Sequence, residues 1–385
     1  DLLAAGHPEA GIRGVSLRSR TTIDHLAGQD GLYTLVEQDD GGVGLRVIGA
    51  VLEVAHGPIA AIEALAAPAT SAVTITVTEK GYGRRVGEGG LDPDHPDVAH
   101  DLARPDTPRS LPAVLLAGLR RRRAGGLDPP VVVSCDNLPA NGAGLRRVVA
   151  ETADHLGDGD GDWVREAVRF PSTVVDRMVP APTDADRALV AERTGRADRA
   201  PVRSETFSQW VIEDVPGLPP WAEVGATLTA DIRPWELLKL RVLNGSHTAL
   251  ALLGGLAGLE TIAEAARWDE LDRFVEAMTG REVIPTLPPV ALDPVDYATS
   301  VRRRFTNPTI GHRTAQVAED GSQKLPVRIL PPLAEALRAG GEADRLALVV
   351  AAWMTRVARS ATGGPTLGDP LAEELVARVR AAPPD

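Results

Sequence analysis

The first half of the chain alternates short apolar runs with helical patterns of apolar positions. A strand is predicted where aliphatic residues follow one another between turn residues, and a helix where apolar residues recur every three or four positions. Strands that alternate with helices favour a parallel α/β sheet. The predicted strands are 12–18, 45–54, 71–78 and 131–134, the predicted helices are 60–66, 111–123 and 144–156, and 1–6 is interpreted as the end of a helix.

From about residue 235 the strand patterns fade and helical periodicity dominates. The fold class that follows is an α/β N-terminal domain with a mainly α-helical C-terminal domain. We place these domains at 1–230 and 231–385, because a chain of 385 residues is long enough for two cores. The predicted C-terminal helices are 235–257, 260–265, 268–278, 294–305 and 333–361.

Composition argues against several classes of protein. A formal net charge of −12 disfavours a nucleic-acid surface. The basic run 120–123 ends a predicted helix, where the helix dipole favours positive charge, so we expect it to be solvated. The single cysteine, Cys135, leaves neither a disulfide framework nor a cysteine zinc site. Since no segment has the ~20 apolar residues of a membrane span and no signal peptide is visible, we predict a cytoplasmic protein without a membrane partner.

The run 157–162 alternates glycine with aspartate. A phosphate loop lies between a strand and a helix, whereas this run follows a helical pattern, and its carboxylates would repel phosphate. We therefore expect a solvated loop. The sequence contains no convincing G-x-G-x-x-G between a strand and a helix, and any cofactor hypothesis must account for that absence.

Candidate chemistry concentrates in the run 233–247. Of the 41 basic residues in the chain only three are lysines, and one of them lies in this run. Arginine cannot release its proton in a protein, whereas a partly buried lysine can act as a base. A helix face with an amine, an amide, an imidazole and a carboxylate predicts the wall of an active site. At about 100° per residue, an arc of roughly 140° holds all four side chains, those of Glu236, Lys239, Asn244 and His247.

Six blocks of sequence run in order across nearly the whole chain, and all three lysines lie inside them. They are T-E-K-G-Y at 78–82, S-C-D-N-L-P at 134–139 with N-G at 141–142, F-P-S-T-V-V-D-R at 170–177, Q-W-V-I-E-D at 209–214, the run 239–247, and D-G-S-Q-K-L-P at 320–326. Together they resemble the mannitol dehydrogenase family, polyol-specific long-chain dehydrogenases that include fructuronate reductases. The resemblance implies a Rossmann-like N-terminal domain, a helical C-terminal domain and metal-independent, NAD-linked hydride transfer.

The resemblance also implies an opening strand followed by a glycine-rich phosphate turn. Both would precede Asp1, so we expect the first strand and its turn to be missing from this chain. Binding of a pyrophosphate at a helix N-terminus depends on such a turn.

Lys239 is the candidate general base in alcohol oxidation and the general acid in the reverse reduction. That role needs a pKa near the working pH, so burial must lower it from ~10.4 toward about 7 or 8. The alternative is a surface lysine on an amphipathic helix. Glu236 lies one turn earlier, and two roles stay open for it: relay of the released proton to solvent, or an ordinary i,i+3 pair with Lys239.

Amide and imidazole groups complete the predicted catalytic set. Asn244 and Asn137 are expected to donate hydrogen bonds to the developing alkoxide or the ketone oxygen. Asn137 lies just past a predicted strand, where α/β enzymes place their sites, with a turn residue as the alternative. His247 is expected to orient Lys239 or to bind a substrate hydroxyl, with a structural histidine as the alternative.

The expected cofactor-binding residues are Arg18, Glu79 and Asp176. Asp176 would line the nicotinamide end of the cleft, or else make a structural contact with an arginine. NAD specificity usually comes from an acidic residue after the second strand, whereas Arg18 follows the strand here, and an arginine can accommodate a 2′-phosphate. Because family habit favours NAD, we predict NAD and keep NADP open.

The expected substrate-binding residues are Arg313, Gln316 and Lys324. Basic groups at this point suit the carboxylate of a sugar acid and favour the fructuronate-reductase branch. An exposed loop with incidental charges is the alternative. The predicted pairs are D-mannonate/D-fructuronate and D-mannitol/D-fructose, acted on without a metal site by a monomer or small homo-oligomer.

Two other functions stay open on the sequence. A decarboxylating hydroxyacid dehydrogenase also pairs lysine with asparagine on a helix, and release of carbon dioxide would distinguish it. A non-catalytic binding protein of the same fold would have lost its cofactor affinity together with the first strand.

Overall fold

A computed structural model describes residues 1–39, 41–85, 89–157 and 159–381. The chain divides into two units, Asp1–Ile232 and Arg233–Asp385. The described part of the first unit contains strands and helices, and that of the second contains helices, which confirms the predicted fold class.

The N-terminal unit alternates strands with helices. Two short 3-10 helices lie at Glu79–Tyr82 and Trp221–Val224. Its strands are β1 (Ile12–Ser16), β2 (Tyr33–Asp39), β3 (Gly42–Ile48), β4 (Val51–His56), β5 (Ala72–Ile75), β6 (Val131–Ser134), β7 (Thr173–Asp176), β8 (Val202–Ser204), β9 (Gln209–Glu213) and β10 (Thr227–Thr229). Its helices are α1 (Thr21–Ala27), α2 (Pro58–Ala66), α3 (Pro96–Ala103), α4 (Leu111–Ala124), α5 (Asn141–Leu156), α6 (Asp160–Ala167) and α7 (Asp184–Thr194).

Strand pairing in this unit is mostly parallel, as predicted for an alternating α/β chain. Within the described ranges, β1 pairs in parallel with β4, β2 with β8, β5 with β6, and β9 with β10. The prediction is wrong for β3 and β7, which pair antiparallel with β2 and β9. β2 and β3 pair directly across a short reversal, with Asp39 opposite Gly42, so no helix separates them.

The core of the N-terminal unit lies around β5 and β6, with α4 and α5 packed beside them. Val132 and Val133 on β6 are fully buried, as are Leu119 on α4 and Leu145 on α5. Burial of one such leucine contributes roughly 1.5–3 kcal/mol. This core fixes β6 and therefore the start of the loop that carries Asn137.

Several predicted boundaries in this unit are wrong. The predicted strand 45–54 is two strands, β3 and β4, which belong to different pairs. Residues 1–6 form turns and no helix. The sequence pattern also missed β2, β8, β9 and β10. β8 and β10 have three residues each, too few positions for an alternation to be recognised, and burial in β2 and β9 runs through consecutive positions instead of alternating.

The basic run 120–123 is only partly solvated, contrary to expectation. Arg122 is 7% exposed, and its guanidinium donates to backbone carbonyl oxygens of neighbouring segments. Arg120 and Arg123 bind the carboxylate of Asp160 over 2.8 and 2.7 Å. Asp160 begins α6, so the predicted loop 157–162 ends there, and Asp158 lies outside the described residues.

The described part of the C-terminal unit is helical. Two of its segments are π-helical, Lys239–Asn244 and Met278–Val283, and 3-10 turns lie at Ile284–Thr286 and Pro308–Ile310. Its α-helices are α8 (Arg233–Leu238), α9 (Gly245–Leu256), α10 (Ile262–Arg267), α11 (Asp269–Ala277), α12 (Pro294–Phe305), α13 (Thr314–Val317), α14 (Gly321–Arg328), α15 (Leu330–Arg338), α16 (Asp344–Ala361) and α17 (Ala372–Ala381).

Two long helical predictions need correction. The predicted helix 235–257 is α8 and α9 with the π segment Lys239–Asn244 between them. The predicted helix 333–361 is two helices, α15 and α16, because the chain leaves helical geometry at Gly340, where φ is 68°.

A buried carboxylate fixes the beginning of α16. Glu282 is fully buried and accepts hydrogen bonds from the backbone N–H groups of Arg345 and Leu346 over 3.0 and 2.8 Å. A negative charge is favourable at a helix N-terminus, so this contact joins the π segment Met278–Val283 to α16. Of the helices the structure describes, none is both long and apolar enough to cross a membrane.

Candidate functional site

The helix that carries Lys239 contains a π segment. α8 ends at Leu238, Lys239–Asn244 is π-helical, and α9 continues from Gly245. Lys239 is the first residue of the segment and Asn244 is the last. Segments of this kind are rare and occur frequently at functional sites. The predicted catalytic stretch therefore coincides with a local irregularity that the hydrophobic pattern does not reveal.

The π segment changes the angle between the predicted side chains. On a regular α-helix five residues turn through about 500°, which leaves Lys239 and Asn244 roughly 140° apart. A π turn rotates less per residue because its hydrogen bonds close at i+5. The two side chains therefore lie nearer to one face than α geometry allows, and the predicted α-helical arc does not apply here. All four residues predicted for this face are partly buried, namely Glu236, Lys239, Asn244 and His247.

Arg241 fixes the π segment to its surroundings. Its side chain is 6% exposed, and Nη1 and Nη2 donate to the two carboxylate oxygens of Glu335 over 2.6 and 2.8 Å. Nη1 also donates to the carbonyl oxygen and the hydroxyl of Thr286, each over 2.8 Å. A bidentate pair fixes orientation as well as distance. The hydrogen bonds from Arg241 lower the pKa of Glu335, so its carboxylate stays ionised.

His247 is held neutral inside the C-terminal unit. Its ring stacks on Phe305 with centroids 5.0 Å apart and lies 5.4 Å from the ring of His312. Burial is the main cause that lowers the pKa of His247 to about 3, followed by His312, Arg328 and Lys324. Nε2 is buried, and no described residue forms a hydrogen bond to it. A neutral imidazole can bind a hydroxyl but offers no positive charge to a carboxylate.

α14 carries Lys324 and is anchored at its beginning. Ser322 donates from N and Oγ to the carboxylate of Asp369 over 2.8 and 2.5 Å. Gly321 is needed there, since a Cβ would lie 2.1 Å from Nε1 of Trp353. Lys324 Nζ donates to a backbone carbonyl oxygen of α13 over 3.1 Å, and burial lowers the pKa of Lys324. The D-G-S-Q-K block therefore holds a partly buried amine in a fixed place.

The other two predicted substrate-binding residues lie at the surface. Arg313 is exposed and its Nη2 lies 3.2 Å from a carboxylate oxygen of Glu260. That ion pair favours a structural role for Arg313. Gln316, on α13, is also exposed.

In the N-terminal unit, Asp136 fixes the loop that carries Asn137. Its carboxylate accepts from the backbone N–H groups of Val77 and Thr78, each over 3.0 Å, and from the hydroxyl of Tyr82 over 2.7 Å. Val77 and Thr78 follow β5, whereas Asp136 follows β6. The network therefore joins the carboxyl ends of two parallel strands, the edge at which α/β proteins bind ligands, and Asn137 is exposed there.

Asn141 joins the end of β6 to the beginning of β7. Its side chain is 1% exposed, and its Oδ1 accepts from the backbone N–H of Thr173 over 2.9 Å. Gly142 lets α5 approach this closely, since a Cβ there would lie 2.4 Å from the carbonyl oxygen of Phe170. Nδ2 donates to three carbonyl oxygens over 3.1, 3.0 and 3.1 Å, those of Ser134, Asp136 and Thr173.

The predicted cofactor-binding residues also lie in the N-terminal unit. Asp176 is the last residue of β7 and is 4% exposed. Arg18 follows β1, is exposed, and has Nη2 2.5 Å from a carboxylate oxygen of Asp97 on α3. The side chain of Glu79 lies outside what the structure describes.

Sequence reasoning missed residues that the structure places around the predicted ones. Asp136 and Asn141 lie inside a block already recognised, so position was a usable signal for them. Arg241 lies between Lys239 and Asn244, but nothing in the pattern indicates its partner, which is 94 residues away. Arg328 lies one turn after Lys324 and carried no signal. In the described ranges no group of three His, Cys, Asp or Glu side chains is placed to hold a metal ion.

Comparison with protein families gives matches to both units. Residues 3–222 match the mannitol dehydrogenase Rossmann domain, and residues 231–383 match the mannitol dehydrogenase C-terminal domain.

Individual relatives agree with these matches. The D-mannonate oxidoreductase of Escherichia coli is 41% identical over 363 residues, which cover 92% of this chain and 75% of that protein. The mannitol 2-dehydrogenase of Pyrenophora tritici-repentis is 38% identical over 94% of this chain and 66% of its own length. The solved Pseudomonas fluorescens mannitol 2-dehydrogenase, in a ternary complex with NAD and D-mannitol, is 36% identical with a TM-score of 0.85, covering 98% of this chain and 79% of that one. The chain belongs to the mannitol dehydrogenase family.

Proposed function

We propose that the chain is an NAD-linked oxidoreductase that interconverts a polyol or sugar acid with its ketose. The candidate pairs are D-mannonate/D-fructuronate and D-mannitol/D-fructose, which suit the names of its relatives. The observation that carries the proposal is the placement of Lys239 and Asn244 at the two ends of a π segment, in a chain whose two units match the two domains of the family.

The proton follows a path through the C-terminal unit. In oxidation the amine of Lys239 takes the substrate hydroxyl proton, and in reduction it returns that proton to the ketone oxygen. Asn244 donates a hydrogen bond to this oxygen while negative charge develops on it. Asn137, in the N-terminal unit, is the other amide that the sequence predicts for this role. Glu236 relays the proton to solvent, and His247, being neutral, binds a substrate hydroxyl. Bound NAD would supply the hydride acceptor for the carbinol carbon, and Arg18, Glu79 and Asp176 are the side chains that would hold it.

The N-terminal unit has features that suit a dinucleotide. Gly57, between β4 and α2, has a φ of 95° and open space where a Cβ would be, so a ligand group can approach the backbone there. Arg18, Glu79 and Asp176 are the side chains assigned to the cofactor. The positive charge of Arg18 is already matched by Asp97, which favours NAD over a cofactor with a 2′-phosphate.

The test is an assay of nicotinamide absorbance at neutral pH. D-fructuronate and D-fructose are each offered with NADH and with NADPH. In the oxidative direction, carbon dioxide release is measured while D-mannonate is oxidised. Turnover of one ketose with NADH, without carbon dioxide, is expected. Turnover with NADPH alone would overturn the cofactor assignment, and carbon dioxide release would favour a decarboxylating dehydrogenase. A chain that binds no cofactor would be a non-catalytic member of the fold.

A further inference from the structure

Arg328 is a desolvated cation with one hydrogen bond to the described residues. It is the last residue of α14 and is partly buried; Nη1 donates to the hydroxyl of Thr248 over 3.2 Å. Its Nε is fully buried and has no partner among the described residues. The end of α14 packs on the beginning of α9, since a Cβ on Gly245 would lie 3.6 Å from the carbonyl oxygen of Arg328.

The charge of Arg328 is not matched by a carboxylate in the described part of the chain. Burial lowers the pKa of Arg328, and no acidic neighbour raises it. Arg241 and Arg302, by contrast, each bind a carboxylate over 2.5–2.8 Å. Burying an arginine without a counter-charge is unfavourable, so such a group is a candidate for binding an anion from outside.

A second cation, the amine of Lys324, lies near the guanidinium of Arg328. Lys324 lies one turn earlier on α14, and the positive charge of Arg328 contributes to lowering the pKa of Lys324. Three carboxylates act on Lys324 in the opposite direction, those of Asp320, Glu319 and Asp369, and Asp369 is already bound to Ser322. Both cations act on His247, which stays neutral. In a chain with a formal net charge of −12, two adjacent desolvated cations form a local positive site.

We propose that Arg328, with Lys324 beside it, binds the carboxylate of a sugar acid at the end of the carbon chain opposite the ketone. The inference rests on the proposed function and narrows it to the acid substrate. Arg328 supplies the planar fork that matches two carboxylate oxygens, and Lys324 supplies a second charge. The hydroxyl of Thr248 orients the fork, and His247 is left for a hydroxyl group. Arg313, predicted from sequence for this task, has Glu260 as its partner instead.

The test compares kcat/KM for D-fructuronate with kcat/KM for D-fructose. Arg328→Gln is expected to lower the value for D-fructuronate by about 100-fold or more and to change the value for D-fructose by less than about threefold. Arg328→Lys keeps the charge without the fork, so an intermediate loss is expected. Arg359→Gln removes one exposed positive charge from α16 and serves as the matched control with an unchanged ratio.

Direct binding separates this inference from the proposed function. Calorimetric titration with D-mannonate and D-mannitol reads carboxylate binding without turnover. A wild-type preference for D-mannonate that Arg328→Gln abolishes would support the site even if neither ketose were reduced. The inference would be overturned if Arg328→Gln lowered kcat/KM equally for both ketoses, or affinity equally for both ligands. It would also be overturned if Arg313→Gln, and not Arg328→Gln, had the effect. An unchanged ratio of the two kcat/KM values in both Arg328 variants would contradict it as well. If Arg328→Gln does not fold, Arg328→Lys and Thr248→Val decide the same question.

Discussion

The guanidinium of Arg241 donates from both terminal nitrogens to the carboxylate of Glu335, over 2.6 and 2.8 Å. Arg241 lies inside the π segment that begins with Lys239 and ends with Asn244, whereas Glu335 lies on α15. An irregular helical turn needs contacts that stabilise it against the regular α form. We infer that this ion pair fixes the position of the proposed base, Lys239, relative to the proposed amide donor, Asn244.

Replacing Arg241 with lysine tests whether the ion pair fixes the relative position of Lys239 and Asn244. Lysine keeps the charge but offers no fork, so the π segment should loosen while the unfolding free energy falls by about 2 kcal/mol. We expect kcat to fall by about tenfold or more, because small shifts of a reacting group are costly, with the Kd for NAD unchanged.

Arg302→Lys is the matched control for this variant. Arg302 on α12 forms a similar bidentate pair with Asp272, outside the π segment. Its loss should cost comparable stability with little change in kcat. Equal effects of the two variants on kcat would mean that Arg241 acts only through global stability.

We expect Asn141 to contribute to the free energy of unfolding and Asn137 to contribute to kcat. Asn141→Ala removes buried hydrogen bonds to the N–H of Thr173 and to three carbonyl oxygens, of which those of Ser134 and Asp136 keep another donor, so the unfolding free energy should fall by about 2 kcal/mol. Asn137 is exposed, and Asn137→Ala should change stability by less than about 0.5 kcal/mol while kcat falls by about 100-fold. Urea unfolding together with steady-state kinetics reads both effects. A large stability loss in Asn137→Ala would contradict the division of roles.

His247 makes stability depend on pH. Its folded pKa of about 3 lies below the unfolded value of 6.5, so the unfolded chain takes up the proton first as the pH falls. The contribution of neutral His247 is fully present above about pH 6.5 and is lost as the pH falls toward 3, a loss of about 2 kcal/mol at pH 5. Urea midpoints at about pH 7 and about pH 5 should therefore differ more in the wild type than in His247→Gln. The same difference in both proteins would show that His247 titrates normally.

Much of the architecture was predictable because it follows from local patterns. The apolar run Val131–Ser134 is a buried strand, and helical periodicity predicts α4, α12 and the length of the helix that carries Lys239. The scarcity of lysine distinguishes Lys239 in the sequence alone. Each of these signals lies within one short segment, so it can be recognised without knowledge of contacts between distant residues.

The contacts between distant segments were not predictable in the same way. The predicted helix 235–257 runs through the π segment without a break, so the pattern does not show it. The partners of Arg241 and Arg313 lie 94 and 53 residues away. The family resemblance and the basic charge that predict a ligand role for Arg313 do not reveal its ion pair with Glu260. Arg328 differs from other arginines only in what surrounds it. Burial and pairing, which decide such cases, are properties of the tertiary structure.

The most direct measurement is turnover and cofactor binding by Lys239→Ala, with its folding checked by circular dichroism. If Lys239 moves the proton, the variant should bind NAD as the wild type does and reduce neither D-fructuronate nor D-fructose at a measurable rate near pH 7. Small primary amines added to the assay should restore part of the rate. Near-normal turnover by Lys239→Ala would contradict the account, because the proton would then move through another group.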